Sequence, residues 1–134
     1  MKKIKVLASF MLFAFGLMSA GTSAAAGNAR EEIDKALMHA DFLIKADSLN
    51  HMHMHMHHIL NCMVGEHGKG YDAHAMNPCK GLGNGAINDE TSASKRKLLD
   101  QVERLASVGV TIDDAAAAHD VALAMHSLLK KAAH

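Results

Sequence analysis

The sequence predicts a small all-α protein, a three- or four-helix bundle with a long Gly-rich loop tied down by a disulfide. Three observations predict it. Residues 29–63 contain neither proline nor glycine. Two later segments, from about Ser92 to Gly109 and from Thr111 onward, repeat apolar residues at helical intervals of three and four. The only proline and six of the ten glycines fall in residues 64–90.

The chain begins with the features of a secretory signal peptide. Residues 1–5 are basic, residues 6–18 are an apolar run, and Ala24, Ala25 and Ala26 supply small residues before Gly27. The apolar run is too short for a transmembrane helix, which favours a cleaved signal over the alternative of a retained membrane anchor. We therefore predict a signal peptide in 1–26, a single domain in 27–134 and a periplasmic location.

The composition of residues 27–134 limits the possible functions. Without Lys2, Lys3 and Lys5 there are 11 basic and 14 acidic residues, so a nucleic-acid partner is not expected. All 11 histidines lie in this part, whereas Phe42 and Tyr71 are its only aromatic residues. The core must therefore consist of Leu, Ile, Val, Met and Ala.

Residues 29–63 are predicted to be helical, with acidic residues at the amino end that suit the helix dipole. One helix of 35 residues would be roughly 52 Å long. Residues 47–50, Asp-Ser-Leu-Asn, favour caps over helix interiors, so a break is plausible there. With a break, four helices of similar length form an up-down bundle. Without it, one long helix projects beyond a shorter bundle.

The run NHMHMHMHHILNC, residues 50–62, contains five histidines and three methionines in eight consecutive positions, 51–58. Its strict alternation would fit a strand, but a helix is favoured because the apolar residues then form one stripe. That stripe contains Leu49, Met52, Met56, Ile59, Leu60 and Met63, and Met38 and Phe42 extend it backwards if the helix is continuous. The stripe methionines are predicted to fill the core.

On that helix the histidines form two groups. His51, His55 and His58 fall within about 60° of arc, and Cys62 continues their line. His53 and His57 form an i, i+4 pair on another side, with His39 at the same angle lower down. Imidazoles at i and i+4 can share a metal ion. The predicted metal ligands are therefore His51, His53, His55, His57, His58 and Met54, with His51, His55 and His58 as the primary set.

Residues 64–90 follow no helical or alternating period and are predicted to be a loop. Cys62 and Cys79 flank much of it, and in an oxidising compartment they most simply form a disulfide. The alternative is that one or both thiolates bind metal. The run Gly81-Leu-Gly-Asn-Gly lacks the strand and helix that a phosphate-binding loop requires.

The remaining two helices have recognisable ends. Thr91 or Ser92 can cap the first of them and Gly109 ends it, while Thr111 with Asp114 resembles a capping box for the second. His119 and His126 share a face of the last helix, where they could supply a further ligand or simply be polar surface residues.

These residues favour metal binding over catalysis. Neither histidine pair has the Glu that metalloproteases place after the first His, and no nucleophile with a base is recognisable, so no enzyme is predicted. Imidazole suits copper, zinc and nickel, and thioether adds a preference for Cu(I). The predicted cofactor is copper, with zinc or nickel possible.

In its signal, length and His/Met segment 50–58, the chain resembles small exported His- and Met-rich helical proteins of bacteria, of the periplasmic copper-resistance and small metal-binding type. That resemblance is one of composition, and it implies sequestration, buffering or delivery of copper, possible delivery or efflux partners, and no retained membrane anchor. Two alternatives remain open: a haem-binding or electron-transfer bundle with histidine axial ligands, and a metal-responsive partner of a sensor or efflux system.

Overall fold

The computed structural model describes residues 27–134, so the predicted signal peptide lies outside the described residues. Five helices follow in order: α1 (Ala29–Leu43), α2 (Leu49–Val64), α3 (Ala86–Asp89), α4 (Ala93–Gly109) and α5 (Ala115–Ala132). Residues 27–134 contain no strand. The four long helices contact one another in the cyclic order α1, α2, α4, α5, which confirms a small helical bundle. None of these helices has both the length and the apolar character that a membrane span would need.

The first long helical segment is broken, and its two halves are capped separately. Asn28 begins α1 by accepting a hydrogen bond from the Glu31 amide through its side chain. After Leu43 the chain turns, and Ser48 begins α2 in the same way by accepting from the His51 amide. Both side chains satisfy amides that a helix leaves unpaired at its start. Of the two alternatives that the sequence left open, the structure has the broken helix, with the break between Leu43 and Leu49.

The break changes which residues reach the core. On α2 the predicted stripe is buried, with Met56, Ile59 and Met63 fully inaccessible. Met38 and Phe42, which would extend that stripe along an unbroken helix, are exposed instead. Because α1 folds back on α2, its angular phase is independent of that of α2, and α1 buries Ile33, Ala36, Ala40 and Leu43.

Residues 65–85 are a loop held to the bundle at several points. Cys62 and Cys79 form the predicted disulfide, and the described part of the chain has no free cysteine. The buried Asn61 side chain binds the loop backbone at Asp72, accepting from its amide at 2.8 Å and donating to its carbonyl at 2.9 Å. The loop ends in the single turn α3, which the sequence did not predict.

The last two helices form the second half of the bundle. Ser92 caps α4, and Gly109 ends it as predicted. A Cβ on Gly109 would lie 2.5 Å from the Met56 sulfur, so glycine permits close contact between α4 and α2. Helix α5 begins three residues later than the Thr111 capping box implied. Asp114 is its cap, accepting from the Ala117 amide at 2.8 Å.

Candidate metal centre

Three imidazoles converge where α1 and α2 pack against each other. His39 lies one turn before the end of α1, whereas His55 and His58 lie one turn apart on α2. His39 Nδ1 is 3.3 Å from His55 Nδ1 and 3.3 Å from His58 Nδ1. In residues 27–134 these three form the one group of at least three His, Cys, Asp or Glu side chains whose donor atoms all lie within 4.8 Å of one another.

The spacing of these nitrogens matches that of ligands around one ion. In a tetrahedral site with metal–nitrogen bonds of about 2.0 Å, neighbouring ligand nitrogens are about 3.3 Å apart. Hydrogen bonding alone does not account for the cluster, because a single Nδ1 of His39 faces two others. Each neutral ring nitrogen is either a donor or an acceptor, so His39 Nδ1 carries at most one proton to share between two neighbours.

Burial keeps the three imidazoles in the form that binds metal. His39 is 4% exposed and His58 is 5% exposed, while His55 is half-buried. Burial, then the neighbouring His58 and His55, lowers the pKa of His39 from 6.5 to about 4. Burial is also the main cause of the lowered pKa of His55 and His58. Near neutral pH all three are therefore uncharged and have lone pairs available for a cation.

One side of the cluster opens toward solvent beside apolar side chains. The Phe42 ring centroid lies 5.7 Å from that of His39 and 5.6 Å from that of His55. Met38 and Met54, the sequence neighbours of His39 and His55, are exposed on these helices. A metal held by the three imidazoles would thus have protein on one side and the Phe42 ring beside it toward solvent.

The structure brings together only two of the predicted ligands, His55 and His58. His51 is exposed, and its Nδ1 lies 2.7 Å from Asp47 Oδ1. His53 Nε2 is 2.9 Å from the Ile112 carbonyl oxygen. His57 Nδ1 is 3.0 Å from Asp72 Oδ2, a contact between potential charges that does not have hydrogen-bond geometry. Both are therefore engaged with other parts of the fold, and Met54 is 42% exposed.

His39 is the member of the cluster that the sequence reasoning placed elsewhere. On a continuous helix His39 has the same angle as His53 and His57, away from His55 and His58. The break removes this angular relation between His39 and the histidines of α2. When α1 folds back on α2, residues at similar distances from the connecting turn lie side by side. His39 lies seven residues before Ala46 and His55 nine after it. The capping residues 47–50 were the signal that could have identified this pairing.

Comparisons with known proteins supply no relative from which to infer a function. No family model, no curated protein and no solved structure matches the chain. The chain's own residues, chiefly the group formed by His39, His55 and His58, are therefore what indicates its function.

The other possible ligands are engaged elsewhere. His119 Nε2 lies 3.2 Å from the Ile44 carbonyl oxygen, and His126 Nε2 lies 2.9 Å from Asp41 Oδ1, so each joins α5 to α1. The alternative that Cys62 or Cys79 binds metal as a thiolate is wrong, because both are in the disulfide. The centre can hold a metal ion through three nitrogens, and it contains no sulfur from cysteine.

Proposed function

We propose that this protein binds one transition-metal ion, preferentially copper, through His39, His55 and His58. The convergence of three neutral, largely buried imidazoles at ligand spacing carries the proposal. An arrangement of this kind is costly without a ligand, because it removes three polar rings from water and leaves them only one another as Nδ1 partners. A cation that accepts their lone pairs offsets that cost.

Copper is favoured over zinc and nickel by general coordination chemistry. Copper is the tightest binder among the divalent ions of the usual series, and imidazole suits both of its common oxidation states. Met38 and Met54 adjoin His39 and His55 in sequence and are exposed, and thioether ligands prefer Cu(I). We propose Met54 as an additional Cu(I) ligand, and we assign His51, His53 and His57, whose rings contact other parts of the fold, no place in the site.

The role that we propose is non-enzymatic sequestration, buffering or delivery of copper in the periplasm. Its support is the signal-like residues 1–26 together with the disulfide, which is typical of an oxidising compartment. Three protein ligands also leave a coordination position that a donor or acceptor protein can approach from the side of Phe42. Transfer to a delivery or efflux partner would use that position.

The geometry gives less support to haem binding. Two axial histidines must approach the iron from opposite faces of the porphyrin. The rings of His39 and His58 are nearly perpendicular, with centroids only 4.9 Å apart, and no macrocycle fits between them. The cluster suits a single bare ion.

Competition titrations of the purified protein with Cu(I), Cu(II), Zn(II) and Ni(II) test the proposal. We expect one tight site, with copper bound most strongly. His39→Ala should lower its affinity by more than the roughly 10–100-fold that loss of a ligand's hydrogen-bond partner costs. His51→Ala is the matched control, because His51 is a histidine of the same run outside the cluster, and it should change affinity by less than about 3-fold.

Two results would contradict the proposal. One is an affinity for all four ions no greater than that of free histidine. The other is a tight site that survives His39→Ala but is lost in His51→Ala, which would return the primary site to the exposed face of α2. Met54→Ala separates the two oxidation states, because it should weaken binding of Cu(I) alone.

A further inference from the structure

Glu32 on α1 is a buried carboxyl group that the metal centre does not use. Its side chain is 1% exposed and lies beneath the loop that leads into α3. Its Oε1 accepts a hydrogen bond from the Gly85 amide at 3.1 Å. Its Oε2 is buried and has no hydrogen-bond partner while Glu32 is charged, whereas a protonated Glu32 shares its proton with Asp89. An unpartnered carboxylate oxygen in such a place is costly, so its environment requires an explanation.

A second carboxylate stands beside Glu32. A Cβ built on Gly83 would lie 2.0 Å from Asp89 Oδ2 and 3.1 Å from Glu32 Oε1, so both acids border the backbone of this glycine. Asp89 is held in place by Asn84, whose amide donates to Oδ2 at 2.6 Å and whose side chain donates to Oδ1 at 3.1 Å. Within residues 27–134, no ion pair involves either Glu32 or Asp89.

Glu32 also lines a polar cavity of about 160 Å³ between α1, the end of α2 and the loop. Its other walls include Asn61, Asn77, Asn84, Glu66 and His67. These side chains and the neighbouring backbone supply carboxylate, amide and carbonyl oxygens, which are the ligands that hard cations prefer. The volume is sufficient for an ion with part of its hydration shell.

We propose that Glu32 is the buried anionic ligand of a second metal site that binds one Ca²⁺ ion in this cavity, and that Asp89, which does not line the cavity, adds negative charge beside it. Calcium fits better than magnesium, because it accepts irregular shells of six to eight oxygens, including neutral ones. The site is chemically separate from the imidazole centre, since its donors are oxygens. Bound Ca²⁺ would connect α1 to the loop 65–85 and stabilise the loop on the bundle.

The small number of charged ligands sets the expected affinity. With one or two carboxylates and otherwise neutral oxygens, Kd should be in the range of about 10⁻⁴–10⁻³ M that weak calcium sites show. Burial is the main cause that raises the pKa of Glu32 to about 7. Ca²⁺ must therefore displace a proton near neutral pH, and its affinity should increase as the pH rises from about 6 to about 8.

Equilibrium dialysis with ⁴⁵Ca²⁺ at pH 8, on the full purified protein saturated with copper, tests this site. We expect one equivalent of bound Ca²⁺ and a rise in Tm of at least about 4 °C at ten times Kd. Glu32→Gln should reduce the affinity at least 10-fold. Asp34→Asn is the matched control, because Asp34 is an exposed acid on the same helix, paired with Arg30, and should change affinity less than about 2-fold.

Asp89→Asn provides a second variant if Glu32→Gln does not fold, and circular dichroism verifies the helical content of each. Absence of Ca²⁺ binding at millimolar concentration would overturn the proposal and indicate that the two carboxyls share a proton only. Binding that survives both Glu32→Gln and Asp89→Asn would overturn it as well. Since the copper centre remains loaded and its affinity is measured separately, failure here is distinguishable from failure of the proposed function.

Discussion

His39 shows what a single buried imidazole does to the molecule before any metal is bound. Its lowered pKa, about 4 against an ordinary 6.5, means that the folded protein resists protonation of this ring while the unfolded chain accepts it. Between pH 6.5 and pH 4 the unfolded state therefore binds more protons at this residue. Stability from the neutral ring is fully present above pH 6.5 and is lost as the pH falls through that range.

The first prediction compares the protein with His39→Gln in the absence of metal. The free energy of unfolding of the variant minus that of the native protein should increase by about 3 kcal/mol as the pH falls from 7 to 4. The native protein is destabilised over this range because its unfolded state binds a proton at His39, whereas glutamine binds none. Urea unfolding at one-unit pH intervals measures this difference. His67→Gln, at an exposed position in the loop, should show no such trend. A constant difference between the native protein and His39→Gln at all pH values would mean that His39 titrates normally.

At the scale of elements, the turn between α1 and α2 determines the site. Residues 47–50 identify the break in the sequence, and the apolar spacing identifies the buried stripe of α2. The rotation of α1 about its own axis could not be predicted from the sequence. The turn interrupts the helix, so the position of a residue around α2 does not determine the position of a residue around α1. Met38, Phe42 and His39 were all misplaced for this one reason. Packing of Ile33, Ala36 and Ala40 against the other helices fixes that rotation.

The second prediction concerns the cap that begins α2. Ser48→Ala removes the hydroxyl that accepts from the His51 amide, and should lower the free energy of unfolding by about 1 kcal/mol. Copper affinity should decrease little, because the cluster lies two turns further along the helix. Ser127→Ala, at an exposed position within α5, controls for loss of a hydroxyl and should change stability by less than about 0.5 kcal/mol. Equal effects of both substitutions would argue against the cap.

The third prediction concerns the disulfide, which joins the end of α2 to the loop across 17 residues. Mass spectrometry of the unreduced protein should detect no free thiol, with or without metal. Reduction should lower the free energy of unfolding by about 3 kcal/mol, mainly because the unfolded chain gains freedom. Copper affinity of the Cys62→Ala, Cys79→Ala double variant should stay close to that of the native protein. A large loss would show that the loop tie supports the metal centre.

For the whole molecule, two buried groups change in opposite directions the number of protons that the chain binds or releases when it folds. Glu32 has a pKa of about 7 in the folded state against 4.5 ordinarily, and His39 has about 4 against 6.5. Between pH 4.5 and 6.5 folding therefore adds about one proton at Glu32 and removes about one at His39. Their contributions to the pH dependence of stability cancel there, and the lowered pKa values of His55 and His58 determine what remains.

The fourth prediction removes one side of this balance. With calcium chelated, Glu32→Gln should be up to about 3 kcal/mol more stable than the native protein at pH 8, where a buried charge must otherwise form. The advantage should decrease as the pH falls and disappear below about pH 4.5, where the native carboxyl is protonated in both states. Thermal unfolding across this range measures the difference, with Asp34→Asn as the control. A variant that is less stable at pH 8 would mean that the Glu32 charge is satisfied.

The three imidazoles are close together along the chain as well as in space, within twenty consecutive residues from His39 to His58. Only one short turn has to close to bring them together, and closure of a short loop takes less than a microsecond. Docking of α4 and α5 requires contacts between residues much farther apart in the sequence and is slower. Metal can therefore be captured by a nascent α1–α2 hairpin ahead of the rest of the bundle. If copper is the ion, as we propose, it should accelerate refolding in stopped-flow experiments as well as retard unfolding, because it would bind before the bundle is complete.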